Sequence, residues 1–445
     1  MDVALSDIRD SFEGVIPSIV ATLDEAGVPN VTYLSQVYYV DEEHVALSNQ
    51  FFSKTAANVR ATGSATVLVI SGRTGNQHML DVTFLRSETS GPFLARMAPR
   101  LDVMHRGHGG EAVMKLRAVD IYRVDECRFV APVAPLAVLP PHQSRPRDNL
   151  GLTVQLLSEM NASSDAEALL DNTLEGLDRL FGFANTMVMI ADEDRRKLSA
   201  IASRGYVRSG IGAEVDYGAG VIGVAAQSRQ PIRISDLSRI QRYIDAVIAK
   251  RMEEKARIDL PSLAVPLSQM AIPMLCRSRM MGVLFVESAA NFAFDNRDEE
   301  ALSIIASQLA AGLMLAGAER PEAEIPENAS VPVKTSGAAF ACQFYPHDGS
   351  VFFGEDYVIR GVPGRLLHFF LTSFCETGRT RFSNREIRRN RSLALPDFKD
   401  NLETRLILLR RRLEERGGPV RILNPERGQV ELVVEGMPQI ELRED

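Results

Sequence analysis

The side chains best able to do chemistry lie near the end of this 445-residue chain. Residues 360–421 hold 15 Lys and Arg against 7 Asp and Glu, a local balance of +8, while the whole chain has 50 against 58, or −8. Arg385, Arg388, Arg389, Lys399, Arg405, Arg410, Arg411, Arg412 and Arg427 are of the type that pairs with phosphate or bridges guanine O6 and N7, so they are the candidate DNA contacts. Asp397, Asp400 and Glu403 depart from a plain phosphate-binding surface. Residues 410–412 are consecutive arginines that point in three directions, so one is expected to pair with an acid such as Glu414 or Glu415.

A second group, Ser48, Asn49, Gln50, Ser53, Lys54 and Thr55, sets hydroxyls, amides and one ammonium at the start of a helical segment. That is a donor set for a phosphate at a helix N-terminus. Ser53 or Thr55 serves equally well as a simple helix cap. The four cysteines, Cys127, Cys276, Cys342 and Cys375, form no CxxC pair, so metal clusters of the usual spacing are not expected. They read as buried reduced thiols, with redox sensing at Cys276 or Cys375 as the alternative. There is no P-loop, HExxH or GxSxG motif, and catalysis is not the first expectation. The N-terminus has no basic segment followed by an apolar one, and no uncharged apolar run nears the ~20 residues that span a bilayer, so a soluble, cytoplasmic protein is expected.

The elements that must position these groups fall into three blocks. Residues 131–148 carry prolines at 132, 135, 140, 141 and 146, a density that excludes regular helix. Residues 319–338 are Pro-, Glu- and Ser-rich without periodicity. The expected organisation is therefore α+β multidomain: residues 1–130, a linker at 131–147, residues 148–318, a linker at 319–338, and residues 339–445. The first block reads as short strands with one helix near 55–61, the pattern of a small barrel. The second reads as helices at 148–161 and 164–181, strands at 186–191, 197–203, 231–234, 264–275 and 281–288, and a helix at 298–316. The third reads as a short sheet, helices at 363–377, 383–389 and 397–416, and strands at 420–423 and 430–434.

The segment IVATLDEAGVPNVTYLSQVYYVDEEHVALSNQFFSKTAANVRATGSATVLV, and the chain to about residue 126, resembles the split barrels related to pyridoxamine 5′-phosphate oxidase. That resemblance implies a homodimer binding FMN, with the phosphate at Ser48, Asn49, Gln50, Ser53, Lys54 and Thr55. Relatives that bind haem do so through His, for which His44, His78, His105 and His108 are available. The chain has no Trp and no Arg-Leu-x-Pro motif, so the substrate-binding part of the oxidases is absent.

GAGVIGVAAQSRQPIRISDLS at 218–238 and AIPMLCRSRMMGVLFVES with FDNRDEEALSIIASQLAAGLMLA at 271–316 look like a GAF domain. This implies an α/β sensor with a small-molecule pocket on one sheet face. Only the tail of the cyclic-nucleotide motif is present, as Phe294, Asp298 and Glu299, and Cys276 is not at the usual bilin position. The charged stretch 237–261 is either a lid over the pocket or a solvated surface helix. The stripes of helices 148–161 and 298–316 either form a dimer interface or cover their own sheet.

The order strand, three helices and hairpin, with FKDNLETRLILLRRRLEERGGPVRILNPERGQVELVV, resembles the winged helix-turn-helix of OmpR/PhoB-type response regulators. The resemblance implies a recognition helix carrying Lys399, Arg405 and Arg410–Arg412, a wing turn at Arg427, and phosphate contacts around the second helix. Together these readings describe a one-component transcription regulator that senses a small molecule or redox state and binds DNA. The alternative is an FMN-dependent oxidoreductase with regulatory GAF and winged-helix domains.

Overall fold

A computed structural model describes residues 3–12, 14–50, 53–106, 116–131, 148–238, 258–316, 337–390, 393, 402–425 and 428–443. A 3₁₀ helix, Leu5–Phe12, precedes β1 (Ser18–Leu23), β2 (Pro29–Leu34), β3 (Val37–Tyr39), β4 (His44–Asn49), α1 (Ser53–Thr62), β5 (Ser64–Ile70), β6 (Gln77–Glu88), α2 (Pro92–Arg106) and β7 (Ala118–Val130). The strands form one antiparallel sheet in the order β2-β1-β5-β6-β7-β4-β3. Pairing between β6 and β7 shifts register at Asp81/Val82 and at Phe84/Arg86. Such bulges bend long strands and curl a sheet. Its core includes Val20, Val45, Val67, Val69 and Leu80. The single expected helix is matched by α1, and α2 is an addition: Met97 and Leu101 pack it on Ala46, Val119 and Ile121. Pro99 inside α2 had masked its helical pattern.

The middle block opens with α3 (Asn149–Asn161) and α4 (Ala166–Phe181). Leu169, Leu170, Thr173, Leu174, Leu177 and Phe181 give α4 one buried face. Its N-cap is Asp165, whose carboxylate accepts from the Ala168 amide at 2.8 Å. Gly182, at φ 70°, ends the helix in the left-handed region where a Cβ is unwelcome. There follow β8 (Asn185–Asp192), β9 (Lys197–Arg204), β10 (Glu214–Asp216), α5 (Gly220–Ser228), β11 (Ile232–Ile234), β12 (Ser268–Cys276), β13 (Arg279–Ser288) and α6 (Asn296–Ala316).

The second sheet runs β10-β9-β8-β13-β12-β11, every pair antiparallel. Both of its faces are covered, which is why its strands read as unbroken apolar runs. Val188, Ile190, Leu284 and Val286 join the cluster of α4 and α6, while Met187, Met189, Val283 and Phe285 face that of α5. Among the described residues one helix, α6, is long and apolar enough to cross a membrane by length and composition. Its Leu302, Ile305, Leu309 and Leu313 are buried in the core of this block. Asn149 to Asp298 (3.0 Å) and Gln308 to Asn161 (2.5 Å) tie α3 alongside it. α6 covers the sheet and α3 packs on α4 and α6, while Leu150, Val154, Ile304 and Leu315 remain exposed.

The last block contains β14 (Phe340–Tyr345), β15 (Ser350–Phe353), β16 (Asp356–Ile359), α7 (Val362–Thr377), β17 (Arg381–Ser383), α8 (Asn384–Arg389), α9 (Leu402–Arg416), β18 (Val420–Leu423), β19 (Gln429–Val434) and β20 (Pro438–Leu442). The strands make a four-stranded sheet, β16-β15-β14-β20, and a three-stranded one, β17-β19-β18. β20 was not read from the sequence, and it pairs in parallel with β14. Ser383 caps α8 by accepting from the Glu386 amide at 3.2 Å. Leu402, Leu406, Leu409 and Leu413, at helical spacing, seat α9 on the core with Phe370 and Phe382. The expected start of this helix, 397–401, lies outside the described residues. The buried apolar residues of the middle and last blocks form one continuous cluster.

Candidate functional site

Candidate groups lie in each of the three blocks and at the joint between the first two. In the N-terminal sheet the six expected phosphate ligands sit at the end of β4 and the start of α1. Ser48 is buried, and its hydroxyl accepts from the Gln36 amide at 3.2 Å. Asn49 donates to Asp120 at 3.0 Å, and the Thr55 hydroxyl accepts from Asn30 at 2.9 Å. Gln50 is also buried; its Oε1 accepts from Ser35 at 2.8 Å, while its Nε2 has no hydrogen-bond acceptor among the described residues. Lys54 is exposed, and the Ser53 side chain lies outside what is described. An orphaned buried donor beside a surface lysine and a helix N-terminus fits an anionic group, whereas Ser48, Asn49 and Thr55 are engaged within the sheet. Of the histidines, His44 contacts Asp41 at 2.8 Å, and His78 is buried with its ring edge-on to Phe129. Burial holds His78 below the usual imidazole range. The His105 side chain and His108 lie outside the described residues.

In the middle block a polar group stands at the edge of the sheet face that α5 covers. Glu287 on β13 is 2% exposed, among the apolar strand residues Val283 and Phe285. Its carboxylate accepts from the Leu263 amide at 2.7 Å, from Gln269 Nε2 at 3.1 Å and from the Ser262 hydroxyl at 3.4 Å. The Tyr206 hydroxyl is buried close by, and burial together with Glu287 raises it far above the ordinary phenol range. Burial likewise pushes Glu287 above the usual carboxylate value, against the pull of its hydrogen bonds. Such a group can donate as an acid or accept as an anion, as a polar ligand requires. A raised carboxyl favours the fold below 4.5, its ordinary value, and that contribution is lost as pH rises through the folded value. Glu287→Gln is therefore expected to leave the urea midpoint at neutral pH equal or higher and to flatten its decline above pH 4.5; urea titrations across that range check it.

In the last block the expected DNA contacts separate into two groups. Arg385 and Arg389 on α8 are exposed and Arg388 is half-buried, while Lys399 and Arg427 lie outside the described residues. The α9 arginines turn into the protein. Arg405, 5% exposed, donates to the Ala191 carbonyl at 3.0 Å and stands 4.0 Å from Asp192. Arg410 pairs with Glu167, and Arg411 with Glu167 at 2.9 Å and Asp171 at 2.7 Å. Arg412 donates to the Val358 carbonyl at 2.8 Å and pairs with Glu415 at 3.2 Å, as its sequence neighbours suggested.

The N-terminal sheet meets the middle block in a cleft around Glu299, which Arg96 and Arg233 both clasp, the latter at 3.0 Å. Burial alone would raise this carboxyl, yet Arg233, Arg96 and Arg100 hold it below its usual range. Arg9 pairs with Glu300 at 3.1 Å on the rim. The tail of the cyclic-nucleotide motif thus has structural tasks here. Phe294 stacks edge-on against Phe183, Asp298 accepts from the Asp295 amide at 3.0 Å, and Glu299 holds the cleft.

Sequence reasoning passed over Glu287 and Arg233. The available signal was a charge inside a short apolar strand, GVLFVES in one case and PIRIS in the other, which only a partnered or functional group can occupy. The charged stretch 237–261 lies outside the described residues from 239 to 257. Among the described residues no group of three or more His, Cys, Asp or Glu is placed to hold a metal ion.

No curated protein matches the chain. Among solved structures it is similar to the GAF domain of a phosphoenolpyruvate-protein phosphotransferase from Acinetobacter, at 20% identity, 38% of this chain, 93% of that chain and a TM-score of 0.32. It is similar also to free methionine-R-sulfoxide reductase from Neisseria meningitidis, at 19%, 38%, 89% and 0.31. An FMN-binding protein from Syntrophomonas wolfei is similar at 16%, 29%, 88% and 0.25. The family model of the GAF domain matches residues 165–313, from the N-cap of α4 to the last turn of α6, and this part of the chain is a GAF domain.

Proposed function

We propose that the chain is a one-component transcription regulator in which the N-terminal sheet and the GAF domain sense a small molecule or redox state and the last block binds DNA. The observation that carries the reading is the order of elements after residue 339. A short sheet, then α7, α8 and α9, then the hairpin β18–β19 follow the winged-helix plan, in which the third helix enters the major groove. The domain boundaries of the sequence reading, 1–130, 148–318 and 339–445, belong to this proposal, as does a homodimer.

FMN is the cofactor we assign to the N-terminal sheet. Its phosphate would be held by Lys54, Gln50 Nε2 and the amides that open α1. Bound there, a flavin supplies one- and two-electron redox chemistry.

Two measurements test the reading. Selection of bound duplexes from a random pool by the purified full chain is expected to enrich one repeated motif. Failure to retain any duplex at low salt would remove the DNA-binding half of the proposal. The absorption spectrum of the same preparation is expected to show oxidised flavin. A Soret band would transfer the assignment to haem, and protein absorption alone would end both assignments.

A further inference from the structure

We infer that the acidic side of the GAF domain is a built-in competitor of DNA, holding the α9 arginines in the place of a phosphate backbone. The inference rests on the DNA-binding reading above and adds what controls it. Four carboxylates face the last block: Glu167 and Asp171 one turn apart on α4, Asp192 at the end of β8, and Glu214 on β10. Arg410 and Arg411 take Glu167, Arg411 takes Asp171 as well, and Arg405 reaches Ala191 and Asp192. Arg360, just before α7, grips Glu214 through Nε at 2.8 Å and Nη2 at 2.5 Å. Ser209 donates to Glu415 near the end of α9.

This is the donor chemistry that a duplex uses: guanidinium groups against a row of fixed negative oxygens. The contact is also selective for one side of α9. Leu402, Leu406, Leu409 and Leu413 pack in the core, while the buried Arg405 and Arg410 and the half-buried Arg411 reach the GAF domain. The side a recognition helix must present is therefore the side that is covered. Arg410 is 9% exposed and pairs with Glu167, so its charge is held in the interface by a carboxylate.

A protein whose DNA-competent form is a minor population binds with an affinity reduced by that fraction, and removing the competitor restores it. Glu167→Gln with Asp171→Asn, made in the full chain, neutralises the α4 part of the surface without a change of size. Binding is read by fluorescence anisotropy on a mixed-sequence duplex at low salt, and opening by hydrogen exchange of the amides of α9. The expected result is faster exchange in α9 and an affinity higher by about tenfold or more. Faster exchange with equal affinity in variant and wild type overturns the competition while leaving DNA binding in place. Faster exchange with no duplex bound by either protein overturns the DNA reading and the inference with it. Where the neutral variant exchanges as wild type does, Glu167→Lys with Asp171→Lys sets like charges against Arg410 and Arg411. Continued protection of α9 in that protein shows that the acidic surface does not hold the helix, and the inference falls.

Discussion

Glu299→Ala is expected to lower the stability of the joint between the N-terminal sheet and the GAF domain by about 3–5 kcal/mol, the range for removing one partner of a buried ion pair. Removing this one carboxylate leaves Arg233, which is 6% exposed, without the group that offsets its desolvation, and leaves Arg96 beside it. The pH dependence has a fixed sign. A carboxyl held below its ordinary value stabilises the fold at all pH values above 4.5 and ceases to do so as pH falls through its folded value. Wild type should therefore lose stability on acidification while Glu299→Ala loses less. Urea midpoints of both proteins at neutral and acidic pH decide the matter, and parallel curves would contradict the assignment.

Gly282→Ala is expected to be at least as damaging, costing about 4 kcal/mol or preventing the GAF sheet from forming. A Cβ at this position in β13 would stand 1.9 Å from the Met189 carbonyl oxygen and 3.0 Å from its carbon. The obstacle is backbone in a central strand, since β13 lies between β8 and β12, so no rotamer relieves it. Gly312→Ala is the contrast. Its Cβ would meet the Leu169 side chain, nearest at Cδ2 at 2.5 Å, the far end of a flexible side chain, and alanine gains about 0.5–1 kcal/mol in a helix interior. Thermal and urea unfolding of the two variants should separate them by several kcal/mol.

Elements with a strong period were legible in the sequence. The leucines of α4 and α9 and the apolar runs of β8 and β13 announce themselves, because one face of each helix and both faces of the sheet must be covered. α2 and β20 were not legible: Pro99 interrupts the first, and the second is a five-residue edge strand whose parallel partner, β14, lies about a hundred residues earlier. Candidate site residues fared according to what their partners were. Gln50 and Lys54 are close in sequence, so their donor chemistry can be read together before the chain folds. Glu287 is defined by Leu263, Gln269 and Tyr206, and Arg405 by Ala191 and Asp192, contacts that only the folded chain brings together. An arginine reads the same in sequence whether it meets a phosphate or a carboxylate.

The GAF domain receives ion pairs on two sides, from Arg9 and Arg96 of the first block and from Arg360, Arg405, Arg410 and Arg411 of the last block. A shared middle member makes the outer two thermodynamic correspondents. Under the proposed function, a ligand bound among the first strands that changes the grip on α9 by some factor requires a duplex bound to α9 to change the affinity for that ligand by the same factor. The concentration at which the protein answers its signal would then depend on how much DNA it already holds.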